Sequence, residues 1–288
     1  MCDGRTLPAS SLGDSIITRQ APAWAGLPTD RPLVMGILNV TPDSFSDGGR
    51  HANPVAAGFS MIEAGADIVD VGGESTRPGS SETDAETEQR RVLSVVAALA
   101  SAGAVVSIDT RHATTMRGAL DRGARIVNDV SGFAHDPAAA AVVHRAACPV
   151  VVMHMRGTPA TMQALAQYGD IVRDVTAELA SRLAQLDLPE GQVAVDPGIG
   201  FAKGAGHNEA LLARLPLLLN LGCRVVVGAS RKGFIGRLSG AAEPKHRDAG
   251  SVAAACAAVL GGAAIVRVHD VAATVEALRV WHGIASAG

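Results

Sequence analysis

Eight short runs of apolar, often β-branched residues divide the chain, and each breaks off at or beside a polar or glycine position. They span Leu33–Val40, Ala66–Gly73, Ala104–Thr110, Arg125–Ser131, Pro149–Met155, Val193–Gly198, Arg224–Ser230 and Ala264–Asp270. Continuous apolarity over a few residues, without polar alternation, marks a parallel strand covered on both faces. Between the runs lie stretches of helical character: Pro54–Gly65, Asp84–Ala102, Arg111–Gly123, Asp136–Ala147, Ile171–Leu186, Asn208–Leu221, Asp248–Gly262 and Val271–Ile284. The first has proline near its start and glycine at its end, the usual punctuation of a helix. Glu-Ala-Gly-Ala66, Asp-Arg-Gly-Ala124 and Gly-Gly-Ala263 repeat one turn, a glycine closing a helix just before a strand.

Strand and helix alternating eight times predict an α/β fold, a single (β/α)8 TIM barrel over residues 31–288. A doubly wound sheet alternates likewise, but no Gly-x-Gly-x-x-Gly follows the first strand, which counts against a dinucleotide fold. Residues 1–30 mix Gly, Pro, Ser and isolated apolar positions without a period. They read as a variable N-terminal extension whose end, Ala21–Leu27, packs beneath the core.

Composition sharpens this picture. Apolar residues make up 48% of the 288 and aromatics only 3%, so the core must be built from Ala, Val, Leu and Ile. A net charge of −3 provides no general attraction for nucleic acid or acidic membranes, so an anionic ligand needs a local cluster of cations. The cysteines Cys2, Cys148, Cys223 and Cys256 lack metal-ligand spacing, and three sit in apolar segments, as small buried hydrophobes do. Met1–Asp30 shows no basic start followed by an apolar stretch, and no 18-residue apolar run occurs. The expectation is a cytoplasmic protein with no membrane and no nucleic-acid partner.

In such a barrel the chemistry gathers at the carboxyl ends of the strands. Those ends carry Asn39; Asp70 and Glu74; Asp109; Asn128 and Asp129; His154; Asp196; Ser230, Arg231 and Lys232; and Arg267, His269 and Asp270. One such residue is readily a structural hydrogen-bond partner; eight converging sets are harder to explain that way. Asp109, Asn128 and Asp196 suit a flat heterocycle with adjacent N–H donors, which a carboxylate pairs in two-pronged fashion. Lys232 suits a ring carbonyl or nitrogen. Arg77, Arg267 and His269 form a cationic complement for a diphosphate. Asn39, Asp43 and Asp47 offer hard oxygen donors of the kind that Mg²⁺ takes. Within Ser75–Ser80, Arg77 is either an anion ligand or the partner of Glu82 or Asp84. Phe201 is either the wall of a flat-ligand site or one more core aromatic. Lys203 and His207 read as loop residues.

Eight motifs together resemble the dihydropteroate synthase family. They are Gly36-Ile-Leu-Asn-Val-Thr-Pro-Asp-Ser-Phe-Ser-Asp-Gly-Gly49, Asp70-Val-Gly-Gly-Glu-Ser-Thr-Arg-Pro-Gly79, Ser107-Ile-Asp-Thr110, Asn128-Asp-Val-Ser-Gly132, Met153-His-Met155, Asp196-Pro-Gly-Ile-Gly-Phe201, Gly228-Ala-Ser-Arg-Lys232 and Arg267-Val-His-Asp270. They keep the family's order from Leu33 to the last helix. The resemblance implies a transferase of folate biosynthesis that joins 6-hydroxymethyl-7,8-dihydropterin diphosphate to p-aminobenzoate, giving 7,8-dihydropteroate and diphosphate.

It also implies roles. Asp109, Asn128, Asp196 and Lys232 would hold the pterin, with Val130, Met153 and Phe201 around its faces. Asn39 would bind Mg²⁺ and, with Arg77, Arg267 and His269, the diphosphate. Phe45, Thr76, Arg77, Pro78 and Ser230 would surround p-aminobenzoate, for which sulfonamides compete. Arg267, His269, Lys232, Arg77 and Asp47 would act at the chemical step, none of them as an essential general base. A homodimer is implied, with Ser251–Gly262 as a candidate face. Two alternatives share parts of the pattern: a pterin-binding methyltransferase barrel, which would not need Ser-Arg-Lys232, Arg-Val-His269 or the Asn39 loop, and a non-catalytic homologue.

Overall fold

The structure, a computed structural model, describes residues 24–28, 30–41, 53–75, 82–189 and 191–287. Eight parallel strands close into a barrel in sequence order: β1 (Leu33–Asn39), β2 (Ile68–Gly72), β3 (Val106–Asp109), β4 (Ile126–Asp129), β5 (Val150–Met153), β6 (Val193–Asp196), β7 (Arg224–Val227) and β8 (Ile265–Val268). Each lies inside one of the apolar runs, and β8 pairs back onto β1 through Ile265 opposite Leu33. The (β/α)8 barrel is therefore the fold.

Nine α-helices lie among the described residues: α1 (Pro54–Glu63), α2 (Ala85–Ser101), α3 (Ala113–Leu120), α4 (Ala139–Ala146), α5 (Ile171–Leu186), α6 (His207–Ala213), α7 (Gly233–Ser239), α8 (Asp248–Leu260) and α9 (Val271–Ala285). Side chains cap several starts: Asn53 and Asp170 accept two backbone N–H groups each, and Asp84 and Asp270 one each. Two departures from the sequence pattern have local causes. The stretch Asn208–Leu221 is not one helix; Pro216 lacks the N–H that an α-helix needs, and the chain tightens into a 3-10 segment, Leu215–Leu221. α7 has no counterpart in the pattern because glycines at 233, 236 and 240 depress helix propensity. Burial of Phe234 and Ile235 and the left-handed Gly240 cap compensate.

Valines, leucines and isoleucines from the strands' outer faces and the helices form a continuous sleeve. A second cluster fills the lower interior: Leu33, Met35, Ile68, Ile126, Val151, Ala194, Val226 and Ile265, closed from beneath by Trp24. Trp24 is 1% exposed, and its Nε1 donates to the Gln192 carbonyl at 3.0 Å. Cys148 is buried and Cys223 and Cys256 half-buried. No helix among the described residues is long and apolar enough to cross a membrane.

Candidate active site at the barrel mouth

Side chains alternate across a strand, so the residue two positions beyond an inward one also points inward, about 6.6 Å nearer the mouth. Counting on from the apolar floor gives Asp70 after Ile68, Asn128 after Ile126, Met153 after Val151, Asp196 after Ala194, Gly228 after Val226 and Arg267 after Ile265. The register supports the same set, with Gly72 opposite Asp109, Asp109 opposite Asn128, and Met153 opposite Asp196. Six apolar strand positions are thus followed, on the same face, by a ring that carries charge.

Arg267 organises that ring. Its Nε donates to Asp70 Oδ2 at 2.6 Å and its Nη2 to Asp109 Oδ2 at 2.5 Å, while Asn128 Nδ2 donates to the same Asp70 oxygen at 3.1 Å. Burial works against the Arg267 charge, but Asp70 and Asp109 outweigh it and the net effect strengthens the cation. Burial, with repulsion from Asp70, lifts Asp109 to about 7 despite Arg267. Asp196 also lies above the usual carboxylate range through burial, although the Gly198 N–H (2.7 Å) and Lys232 oppose the rise. Lys232 is lowered to about 8 by burial and by Arg267. The mouth thus holds acidic and basic groups that titrate near neutrality, a pattern typical of functional sites.

One wall is aromatic and thioether: Val130, Met153, Met162, Phe201 and Ala202 pack together, and Lys232 Nζ lies 4.0 Å from the centroid of the Phe201 ring. Gly198 has φ +70°, and a Cβ there would stand 2.0 Å from the His154 carbonyl oxygen, so only glycine fits between β5 and β6.

Sequence expectations fare differently from residue to residue. Asp109, Asn128, Asp196, Lys232 and Arg267 do gather at the carboxyl end of the barrel, with Met153 beside Asp196 and Phe201 beside Lys232. His269 reaches Ser230, its N and Nδ1 lying 3.2 and 3.0 Å from Ser230 Oγ. Burial, then Arg231, Arg267 and Lys232, push His269 down to about 3, which favours the neutral imidazole. Other strand-end residues are structural. Asp129 accepts from Ser131 N, Ser131 Oγ and Phe133 N; Arg231 pairs with Asp248 (2.6 Å); Asp270 caps α9. Glu74 forms a two-pronged pair with Arg111, and Glu82 lies against Arg111 and His135. Asp43, Phe45, Asp47, Thr76, Arg77 and Pro78 lie outside the described residues.

Two participants carry a weak sequence signal. Asp70 stands near a strand end, and alternation from Ile68 turns it inward, where it meets Arg267. Lys203 lies between Gly200 and Gly204 and reads as loop, yet it is 5% exposed, its Nζ 3.0 Å from His154 Nδ1 and 2.8 Å from the Phe201 carbonyl. Burial, partly offset by Asp196, lowers it to about 7.

A parallel barrel with a buried, charge-balanced mouth and one aromatic wall defines an enzyme site for a flat, polar small molecule. The family described as pterin binding enzyme matches residues 35–269. The dihydropteroate synthase of Mycobacterium leprae is 47% identical over 259 residues, covering 86% of this chain and 91% of that protein. The Escherichia coli K12 enzyme of the same name is 44% identical over 268 residues, covering 91% and 94%. A solved structure of Xanthomonas albilineans dihydropteroate synthase with 4-aminobenzoic acid matches with a TM-score of 0.84 at 44% identity, covering 90% of this chain and 94% of that one. A Yersinia pestis dihydropteroate synthase in a sulfonamide drug complex matches at 0.85 and 39%, covering 90% and 96%. The chain belongs to the pterin-binding enzymes and, among them, to the dihydropteroate synthase family of transferases.

Proposed function

We propose that this chain condenses 6-hydroxymethyl-7,8-dihydropterin diphosphate with p-aminobenzoate, releasing 7,8-dihydropteroate and diphosphate for folate synthesis in the cytoplasm. The observation that carries the reading is the mouth itself: two carboxylates, an amide, a lysine and an arginine, buried or half-buried, gathered beside Phe201 and Met153. Asp109 and Asp196 accept from the amino and ring N–H groups of the pterin, Asn128 completes that edge, and Lys232 donates to its carbonyl or ring nitrogen. Val130, Met153 and Phe201 cover its faces. Arg267, set by Asp70 and Asp109, faces the leaving diphosphate as charge develops there, and neutral His269 donates a hydrogen bond. By the family resemblance, Arg77 would also bind the diphosphate, Phe45, Thr76, Arg77, Pro78 and Ser230 would bind p-aminobenzoate, and Asp47 would act at the chemical step. The aromatic amine attacks a methylene whose positive charge the pterin shares, so no strong base is required; sulfonamides compete for that amine's position.

Asn39 closes β1, half-buried, and offers an amide oxygen. A hard amide oxygen of this kind fits Mg²⁺, which takes few protein ligands and keeps water or phosphate for the rest. When bound, the ion would neutralise charge on the departing diphosphate. Leu238, Leu260, Val280 and Ile284 stand more than half exposed on α7, α8 and α9, which supports a homodimer through this side of the barrel.

The test is diphosphate release from purified protein given the pterin diphosphate and Mg²⁺, with and without p-aminobenzoate. Release that rises with p-aminobenzoate, together with a pteroate product, is expected. Tight pterin binding without release would overturn the synthase reading in favour of methyl transfer or a non-catalytic role.

A further inference from the structure

The turn that follows β6 is held in a conformation it would not choose by itself. Gly198, Gly200 and Ala202 all have positive φ, and Ala202 (φ +46°) carries a Cβ that disfavours this region. Such backbone persists where the surroundings over-determine it. Here three independent contacts do so: Gly200 N–H donates to Asn208 Oδ1 (2.7 Å), Tyr168 OH to the Ala202 carbonyl (2.9 Å), and Lys203 Nζ to the Phe201 carbonyl (2.8 Å).

The lysine contact reaches furthest. Lys203 Nζ also meets His154 Nδ1 at 3.0 Å, and His154 Nε2 lies 2.9 Å from Glu178 Oε2. A lysine donating to Nδ1 leaves the proton on Nε2, where it serves Glu178, so one tautomer satisfies the whole chain. Burial, then Lys203, hold His154 down at about 4, which keeps that imidazole neutral. The chain therefore runs from α5, where Glu178 sits, through β5 to the carbonyl of the residue whose ring walls the site. A buried lysine with no ligand of its own at the mouth is costly in a stable core.

Building on the pterin reading above, we propose that Lys203 is a positioning residue: by tying the Phe201 carbonyl to the His154 ring it sets the Phe201 side chain against Lys232, and so prepares the wall on which the pterin stacks. Lys203 touches neither p-aminobenzoate nor the diphosphate in this reading. Its loss therefore loosens one substrate selectively.

The experiment compares wild type with Lys203→Met, Lys203→Arg and Tyr168→Phe, measuring kcat, both KM values, the Kd for pterin diphosphate and the melting temperature. Lys203→Met should raise the pterin KM and Kd about ten-fold, with kcat and the p-aminobenzoate KM within about three-fold. Lys203→Arg should recover part of that loss. Tyr168→Phe removes one hydroxyl from the same turn and should raise the pterin KM about three-fold, keeping the test open if the methionine variant fails to fold. Unchanged pterin affinity in the folded variants, or an equal rise in both KM values, overturns the proposal. A wild type that binds pterin diphosphate but does not turn over sinks only the synthase reading, because the Kd comparison still decides the role of Lys203. A wild type that binds no pterin diphosphate sinks both.

Discussion

The floor and the mouth of the barrel are made by the same strands, one inward step apart, and have opposite chemistry. The floor is Met35, Ile68, Ile126, Val151, Ala194, Val226 and Ile265, with the Trp24 plug beneath them. One step up, Asp70, Asn128, Asp196 and Arg267 occupy the corresponding places. The floor gains stability from apolar burial and needs no partner geometry. The mouth must bury charge, which is unfavourable unless every charge is paired. Arg267 resolves most of that by binding two carboxylates at once. Burial, opposed by that pairing, lifts Asp109 to about 7, and burial lowers Lys232 to about 8, which leaves both poised toward an incoming polar ligand. One layer thus serves stability and the other preorganisation, and substitutions should separate the two.

The largest effect is expected at Arg267. Arg267→Ala removes the cation facing the diphosphate and leaves Asp70 and Asp109 unpaired, so turnover should fall by about 10³. Stability should drop by about 3–5 kcal/mol as two buried carboxylates lose their partner. Diphosphate release and denaturant unfolding of one preparation measure both; wild-type kinetics with unchanged substrate dependence would refute the assignment.

Trp24→Ala should do the reverse. Emptying the plug should cost about 3–5 kcal/mol while kcat stays at the wild-type value. A loss of kcat at a temperature where the variant is folded would show that floor and mouth are not separable.

A pH experiment sharpens the boundary further. His154 has a folded pKa near 4, below its ordinary value, chiefly through burial and then through Lys203. Below about 6.5 the unfolded chain takes up a proton that the folded chain refuses, so stability is lost as pH falls toward 4. The full loss amounts to about 3 kcal/mol. Stability measured at pH 7 and pH 4 should therefore fall more steeply in wild type than in His154→Gln; parallel curves would mean that His154 does not titrate as its surroundings indicate. The smallest effect belongs to Ile126→Val, one methylene of the floor, at about 1 kcal/mol with kinetics unchanged.

Legibility differed along the same lines. All eight strands could be read because continuous Val, Ile and Ala runs, broken at polar ends, are what double-sided burial selects. Asp109, Asn128, Asp196, Lys232 and Arg267 could be read because each ends or follows such a run. α7 could not, since its glycines suggest a loop and only burial of Phe234 and Ile235 makes it helical. Nor could the standing of Asp129, Arg231 and Asp270, which sit at strand ends like the others but turn to backbone N–H groups or to Asp248. A strand end tells which residues are near the mouth; which way each one turns is set by neighbours far away in the chain.

The sequence by itself determined the order of strands and helices, the closed barrel they imply, and the polar residues available at one end, because hydrophobic periodicity and local turn chemistry are properties of short segments. Tertiary structure alone decided three things: that Arg267 pairs with Asp70, 197 residues away, that His269 lies against Ser230, and that Lys203 is buried on His154. Each depends on the electric field and solvent exclusion produced when distant strands meet, and no local pattern carries that information.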